Sequence, residues 1–543
     1  MANFFIYWIV VLFADLTTIL YQIVRRRPLS NAQSISLVVL TAAAALRMLY
    51  WLLLYPAYFT PFRHLPTPPK RRLLTGNENG FYRERKWDVA RRWYTTIPND
   101  GLIRYYSALS HEILLVTSPQ GLSEVMVQNV HDFDQTPLAT LQAERLTGRG
   151  IQFLRGQEHK TQRKYLMPIF TPAHIKTLVP IFWNKATELV EGLEQEIHKS
   201  PTDHFVHLTN WSVRVALDVI GVAAMDCDYG ALKNPDSEYK DLIHLYRRVM
   251  ANAPPTSFRI LGLLADYVNP KLLYYIPESR NMVLKDSFMN LRMHARNTIQ
   301  AIKNGSGIAK GKDDRKDVIS VALRNGQIAS DTLEDHVMTF HAAGHITTSI
   351  TMDWTMYELG QRPELQQQLR AEIRSRLPGG MTEDINNTDI ESLPLLNAVC
   401  SETLRFYPAL PFTTRVAVND TFILGTPVPK GTTVAWCADA VNRDKALWGP
   451  DGDVWNHERW LGPGRTTTGG AKNNFSFLTF AAGPKNCIGQ AWARAELACL
   501  IAAMVGRFEI RLANPESASH VDPVTALMSK EGVYVSLKTI RGW

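Results

Sequence analysis

One cysteine stands in a stretch suited to close approach by a flat ligand, Phe480-Ala-Ala-Gly483-Pro-Lys485-Asn-Cys487-Ile-Gly489, just before an apolar helical run that begins near Ala491. Gly483 and Gly489 let the backbone turn tightly where a Cβ would collide. The sulfur of Cys487 then sits at a helix N-terminus, whose amide N–H groups and positive dipole end favour the thiolate. A thiolate of this kind suits the axial position of a haem iron, where it pushes electron density outward and favours O–O cleavage. Oxygen activation is the chemistry expected. The plainer alternative for these residues alone is a buried structural cysteine in a glycine turn.

Three further groups carry chemical potential. Ala343-Gly344-His345-Ile346-Thr347-Thr348 falls inside a helix expected over 331–361. A glycine there costs about 1 kcal/mol against alanine, so close approach of a flat ligand is a reason for it. Thr347 can serve oxygen activation or back-bond to a carbonyl one turn earlier. His159 and Arg163 are four apart on one face of another helix, either a solvated basic face or a pair aimed at an anion. Glu402 and Arg405 share a helix face, for which a surface salt bridge is the default.

The cysteine stretch resembles the loop of the cytochromes P-450, Phe-x-x-Gly-x-Arg-x-Cys-x-Gly, with Phe480 in place, Lys485 for the arginine and Ala481 for a small polar residue or glycine. Other segments resemble the family in the same order, from about Pro66 to Trp543. His159 and Arg163 match Trp-x-x-x-Arg, with histidine for the tryptophan. Gly344 and Thr347 match Ala-Gly-x-Asp/Glu-Thr-Thr, with Ile346 in the acid's position. Glu402 and Arg405, with Arg459 of Asn456-His-Glu-Arg-Trp460, resemble a buried Glu-Arg-Arg triad of structural role. Arg415 resembles the arginine that reaches a haem propionate. The resemblance implies a mainly α fold with small β-sheets and haem b (iron protoporphyrin IX) ligated by Cys487. It implies propionate contacts from His159, Arg163, Arg415 and Lys485, and monooxygenation of a lipophilic small molecule. Electrons would come from NADPH through a separate membrane-bound reductase docking near Lys485. Because Ile346 cannot relay a proton, a reductase-independent isomerase or peroxide-using enzyme stays open. So does a haem-binding protein without turnover.

The elements that position these residues follow from pattern. Leu102 to Ser107 and Ile113 to Val116 form an expected hairpin, Leu393 onward a helix carrying Glu402, Thr433 to Ala438 a strand, and Glu531 to Thr539 a closing strand. An apolar stretch from Ala251 to Ile276, broken by prolines, resembles the family's entrance lid, and Val524 to Gly532 its last pocket-lining turn. Leu410 and Phe412 are expected to face substrate. No linker divides the 543 residues after the N-terminal region, so one large domain over 76–543 is expected. Of the net charge of +8, eight basic residues against Asp15 place +7 within the first 72 residues. This argues against nucleic acid and for a membrane anchor with basic flanks over 1–60. Phe4 to Val24 is apolar enough, at about 20 residues, to span a bilayer, and the second run, Ile35 to Tyr55, either spans as well or, as the arginines at its ends suit better, lies in or near the interface. Pro66, Pro68 and Pro69 make 61–75 an extended basic hinge. The expected location is the endoplasmic reticulum membrane with the catalytic domain facing the cytosol. Five cysteines without a Cys-x-x-Cys pair exclude a disulfide scaffold or zinc site.

Overall fold

Apolar residues recurring at helical spacing drive most of the chain into helices that bury one face each. The computed structural model describes residues 35–543, apart from 78–83, 200–204, 235–278, 306–316, 326–327 and 519–525, positions 74 and 383, and scattered residues within 37–48 and 138–146. The helices that carry the argument are α1 (Lys86–Thr96), α2 (Gly156–Leu166), α3 (Pro172–Lys199), α4 (Leu208–Met225), α5 (Ser279–Lys303), α6 (Ser330–Gly360), α7 (Pro363–Arg376), α8 (Pro394–Phe406) and α9 (Gln490–Arg507). The strands are β1 (Leu102–Tyr106), β2 (Glu112–Val116), β3 (Phe133–Asp134), β4 (Phe205–His207), β5 (Phe412–Ala417), β6 (Thr421–Ile423), β7 (Thr426–Val428), β8 (Thr433–Cys437), β9 (Phe508–Leu512) and β10 (Tyr534–Thr539). They form a five-stranded sheet in the order β1-β2-β8-β5-β3, a three-stranded sheet β4-β10-β9 and the hairpin β6-β7. A mainly α fold with small sheets is therefore observed, with β1 and β2 paired antiparallel as expected.

α6 and α9 are the two elements through which the site is held. α6 packs along α4 and α9 along α3. Val215, Val337, Met338, Leu497 and Ile501 lie in one buried cluster with Phe182 and Trp183. Trp492 of α9 closes this core, its ring 5.1 Å from Phe182 and 6.1 Å from Phe170. α4 is the one helix among the described residues long and apolar enough to cross a membrane, but 83% of it is buried inside the domain. It is core. The expected span over Phe4 to Val24 and the lid over Ala251 to Ile276 lie outside the described residues.

The start of the domain is fastened to β1. Arg104 N donates to Pro66 O at 2.9 Å, Asn77 Nδ2 to Pro68 O at 3.0 Å, and Arg104 Nη1 to Pro56 O at 3.3 Å. Before it, Ile35, Val39, Leu46, Trp51, Tyr58 and Phe59 are exposed. In the five-stranded sheet Asp134 stands opposite Val416, and Arg415 opposite Val434. That register brings two residues far apart in the chain to one edge.

Candidate active site

The loop from Phe480 to Gly489 is closed by its own backbone. Cys487 N donates to Phe480 O at 2.9 Å and Asn486 N to Gly483 O at 3.0 Å, while Ala493 N ties α9 back to Gly489 O at 2.9 Å. Cys487 is exposed, whereas Cys400, Cys437 and Cys499 are buried. Its sulfur is accessible, yet protein walls it on most sides. Burial pushes the thiol up, against the Gly489 N–H and Arg163, which pull it down. The expected pull of the backbone amide toward the thiolate is present, with desolvation opposing it. A coordinated metal ion deprotonates such a thiol outright.

The glycines are needed for reasons the local sequence hides. Gly483 has φ +72° and a Cβ there would lie 2.2 Å from Met126 O. Gly344 is excluded from carrying a side chain by Ile220 of α4, whose Cδ1 and Cγ1 would stand 2.8 and 2.9 Å from its Cβ. At both positions protein packing by itself already requires the glycine. Gly489 is different, since a Cβ there would meet only Cys487 Sγ, at 4.0 Å. It keeps the space beside the sulfur open. Gly344→Ala is accordingly expected to cost about 1–2 kcal/mol by overpacking, and Ile220→Ala in the same chain to relieve that cost. Denaturation midpoints of the two single variants and the double variant measure the coupling, and strict additivity would refute the contact.

On α6, most neighbouring residues are buried, but Ala343 is exposed and Gly344, Ile346 and Thr347 are half-buried. This turn faces open space. Thr347 Oγ1 donates to Ala343 O at 2.7 Å, so its proton is engaged and its lone pairs remain as acceptors. Ile346 packs with Ile350, Trp354, Ala409 and Leu527 in an apolar cluster that also receives Phe412. Leu527 N donates to Ala409 O at 3.0 Å, joining the turn after α8 to the described part of the 524–532 turn. Leu410 is exposed.

The cationic residues gather on one side. Arg163 Nη1 and Nη2 grip Asn486 through its carbonyl at 2.9 Å and its side-chain oxygen at 2.7 Å. Lys485 Nζ donates to Phe133 O at 3.1 Å. Arg415 Nη1 donates to Gln135 Oε1 at 3.0 Å, and burial brings its guanidinium down to about 10, with Asp134 opposing. His159 is buried, and desolvation, then Arg163 and Lys485, lower its proton affinity. His131, His159, Lys160, Arg163, Lys164 and Lys485 are among the residues lining a pocket of 410 Å³ on this side.

These residues fit an iron porphyrin. Among the described residues no three His, Cys, Asp or Glu converge on a bare ion, so a single accessible thiol suits an iron already held by a macrocycle. Cys487 would ligate the iron, and His159, Arg163, Arg415 and Lys485 are chemically matched to its two carboxylates.

The ion-pair triad is buried. Glu402 Oε1 is 2.6 Å from Arg405 Nη2 and 3.4 Å from Arg459 Nε, and Glu402 and Arg405 are both fully shielded. Arg405 also serves the carbonyls of Asn442, Gly452 and Val454. Trp460 also serves this glutamate. Its indole N–H donates to Glu402 Oε2 at 2.9 Å. Asn442 extends the network to the cysteine loop, donating to Thr479 Oγ1 at 2.9 Å and accepting from Leu478 N at 2.7 Å.

Comparison with known proteins agrees with this arrangement. The chain matches the family profile Cytochrome P450 over residues 87–535. It is 42% identical to cytochrome P450 monooxygenase FSL4 of Gibberella zeae, over 99% of each chain. It is 39% identical to cytochrome P450 monooxygenase sphH of Aspergillus fumigatus, over 93% of each. To cytochrome P450 monooxygenase ALT8 of Alternaria alternata it is 32% identical, over 90% of this chain and 92% of the other.

Proposed function

The chain belongs to the cytochrome P450 family and is an oxygen-incorporating oxidoreductase, and from that premise we propose that it inserts one oxygen atom into a lipophilic small molecule with NADPH electrons passed on by a separate reductase. The observation that carries this reading is the accessible Cys487 thiol with His159, Arg163, Arg415 and Lys485 to one side. Haem bound there supplies dioxygen activation. The protein's own residues do the rest. Gly489 leaves room beside the sulfur, Arg163 fixes the loop through Asn486, and the Thr347 lone pairs accept from a water at the exposed turn of α6. Ile346, Ala409, Phe412 and Leu527 supply an apolar wall that excludes water and favours a lipophile.

The basic pocket around Lys160, Lys164 and Lys485 suits an acidic reductase surface. A location at the endoplasmic reticulum membrane, catalytic domain toward the cytosol, is supported by the apolar run at Phe4 to Val24 and by the exposed apolar residues between Ile35 and Phe59. Ile346, standing in an apolar cluster, favours a second reading in which a hydroperoxide or an isomerisation replaces the reductase-driven reaction. Supplying purified protein with NADPH and reductase, or with a hydroperoxide, separates the two. For the ligand itself, the reduced protein is expected to give the long-wavelength carbon monoxide band of a haem thiolate, and Cys487→Ala to lose it. An unaltered spectrum in that variant would remove Cys487 from the role.

A further inference from the structure

The cations matched above to two carboxylates already have one of the protein's own beside them. Asp134, at the end of β3, is buried. Its Oδ2 lies 2.5 Å from Arg155 Nε and its Oδ1 4.0 Å from Lys485 Nζ. The same Oδ1 accepts from Gln135 N at 2.8 Å, and Gln135 Oε1 holds Arg415 at 3.0 Å. Pairing of β3 with β5 sets Asp134 opposite Val416, next to Arg415 on the neighbouring strand. Lys485 thus faces the aspartate directly and Arg415 reaches it through Gln135, while the aspartate's charge supports the protonated Arg415 that burial opposes. Two of the four groups matched to the propionates therefore share this one anion.

We propose that Asp134 is a positioning residue for the haem, a third carboxylate that offsets the positive charge at the propionate edge and so holds the iron's reduction potential down. The proposal rests on the haem-thiolate reading of Cys487. Uncompensated cations near an iron centre favour its ferrous state, because they stabilise the added electron in a site of low dielectric. Asp134 supplies that compensation from the protein. The nearby Asp132 does not share these contacts; its carboxylate accepts from Asn419 and Thr421.

The test is a dye-equilibrated redox titration of the full-length, haem-loaded protein. Asp134→Asn is expected to move the ferric–ferrous equilibrium toward ferrous by about three- to tenfold, tenfold being about 59 mV for a one-electron couple. Asp132→Asn is expected to leave it where it is. Arg155→Gln, at a half-exposed position that leaves the core intact, is expected to move it the other way, because Asp134 then faces the haem edge without its nearest cation. Equal potentials for Asp134→Asn and Asp132→Asn, with the carbon monoxide band intact in both, overturn the proposal. Should Asp134→Asn fail to retain haem, Arg155→Gln decides alone, and an unshifted potential overturns it. Loss of the carbon monoxide band in the unsubstituted protein would instead overturn the thiolate reading beneath it.

Discussion

Arg405→Met is expected to give a chain that folds poorly and retains little haem. The substitution leaves Glu402 fully buried with its closest cation gone and orphans three carbonyls, at Asn442, Gly452 and Val454. Removing one partner of a buried pair costs about 3–5 kcal/mol, out of a total stability of about 5–15 kcal/mol. Lysine does not rescue the position, because one ammonium cannot replace the guanidinium fork. Arg459→Met should cost less, since its contact to Glu402 is longer, at 3.4 Å, and its other acid, Asp451, is partly exposed. Trp460→Phe should cost about 1.5–3 kcal/mol, one hydrogen bond to a buried carboxylate. Urea midpoints and haem per chain measure the ranking. If Arg459→Met proved the more damaging of the two arginine variants, the assignment of Arg405 as principal partner would be wrong.

The second large effect is a loss of stability with rising pH that Glu496→Gln removes. Glu496 of α9 is buried between Trp492 Nε1 at 2.9 Å and Thr348 Oγ1 at 3.5 Å, both on Oε2, while Oε1 has no hydrogen-bond partner among the described residues. Desolvation pushes its carboxyl up to about 8 from 4.5, against those two hydrogen bonds. The folded chain thus keeps a proton that the unfolded chain has released. Stability contributed this way is full below 4.5 and drains away as pH rises through about 8. The buried His336 and His345, lowered to about 4 by desolvation, act in the opposite sense, raising stability only up to 6.5. Asp218, raised to about 6 by burial, falls silent above that value. Between 6.5 and 8 Glu496 is therefore left as the main slope, worth ~2 kcal/mol across the window. Urea titrations at those two pH values should show the decline in the native protein and its absence in Glu496→Gln. Parallel declines in both would place the titrating group elsewhere.

What could be read from the amino-acid order was whatever is local. The Cys487 loop, the His159 and Arg163 pair on α2, the Glu402 and Arg405 pair on α8 and the threonine turn of α6 are each contained in a few residues, and all formed on the elements expected. Contacts across the chain were illegible for the same reason. Nothing near Gly344 announces Ile220, nothing near Gly483 announces Met126, and nothing near Asp134 announces the strand β5 laid beside it. Nothing near Trp460 announces that its indole N–H serves Glu402, 58 residues away. The expected span over Phe4 to Val24 and the lid over Ala251 to Ile276 fall outside the residues described.

The grip of Arg163 on Asn486 joins positions 323 residues apart, and that of Lys485 on Phe133 joins positions 352 apart. Ribosomes extend a chain at about 5–20 residues per second and folding begins from the N-terminal side. The sulfur and the cations can meet only after nearly all of this polypeptide has left the exit tunnel. Capture of the prosthetic group through Cys487 is thus expected only late in synthesis or after it, and nascent chains stalled before residue 487 should accumulate as colourless intermediates however much haem the cell supplies.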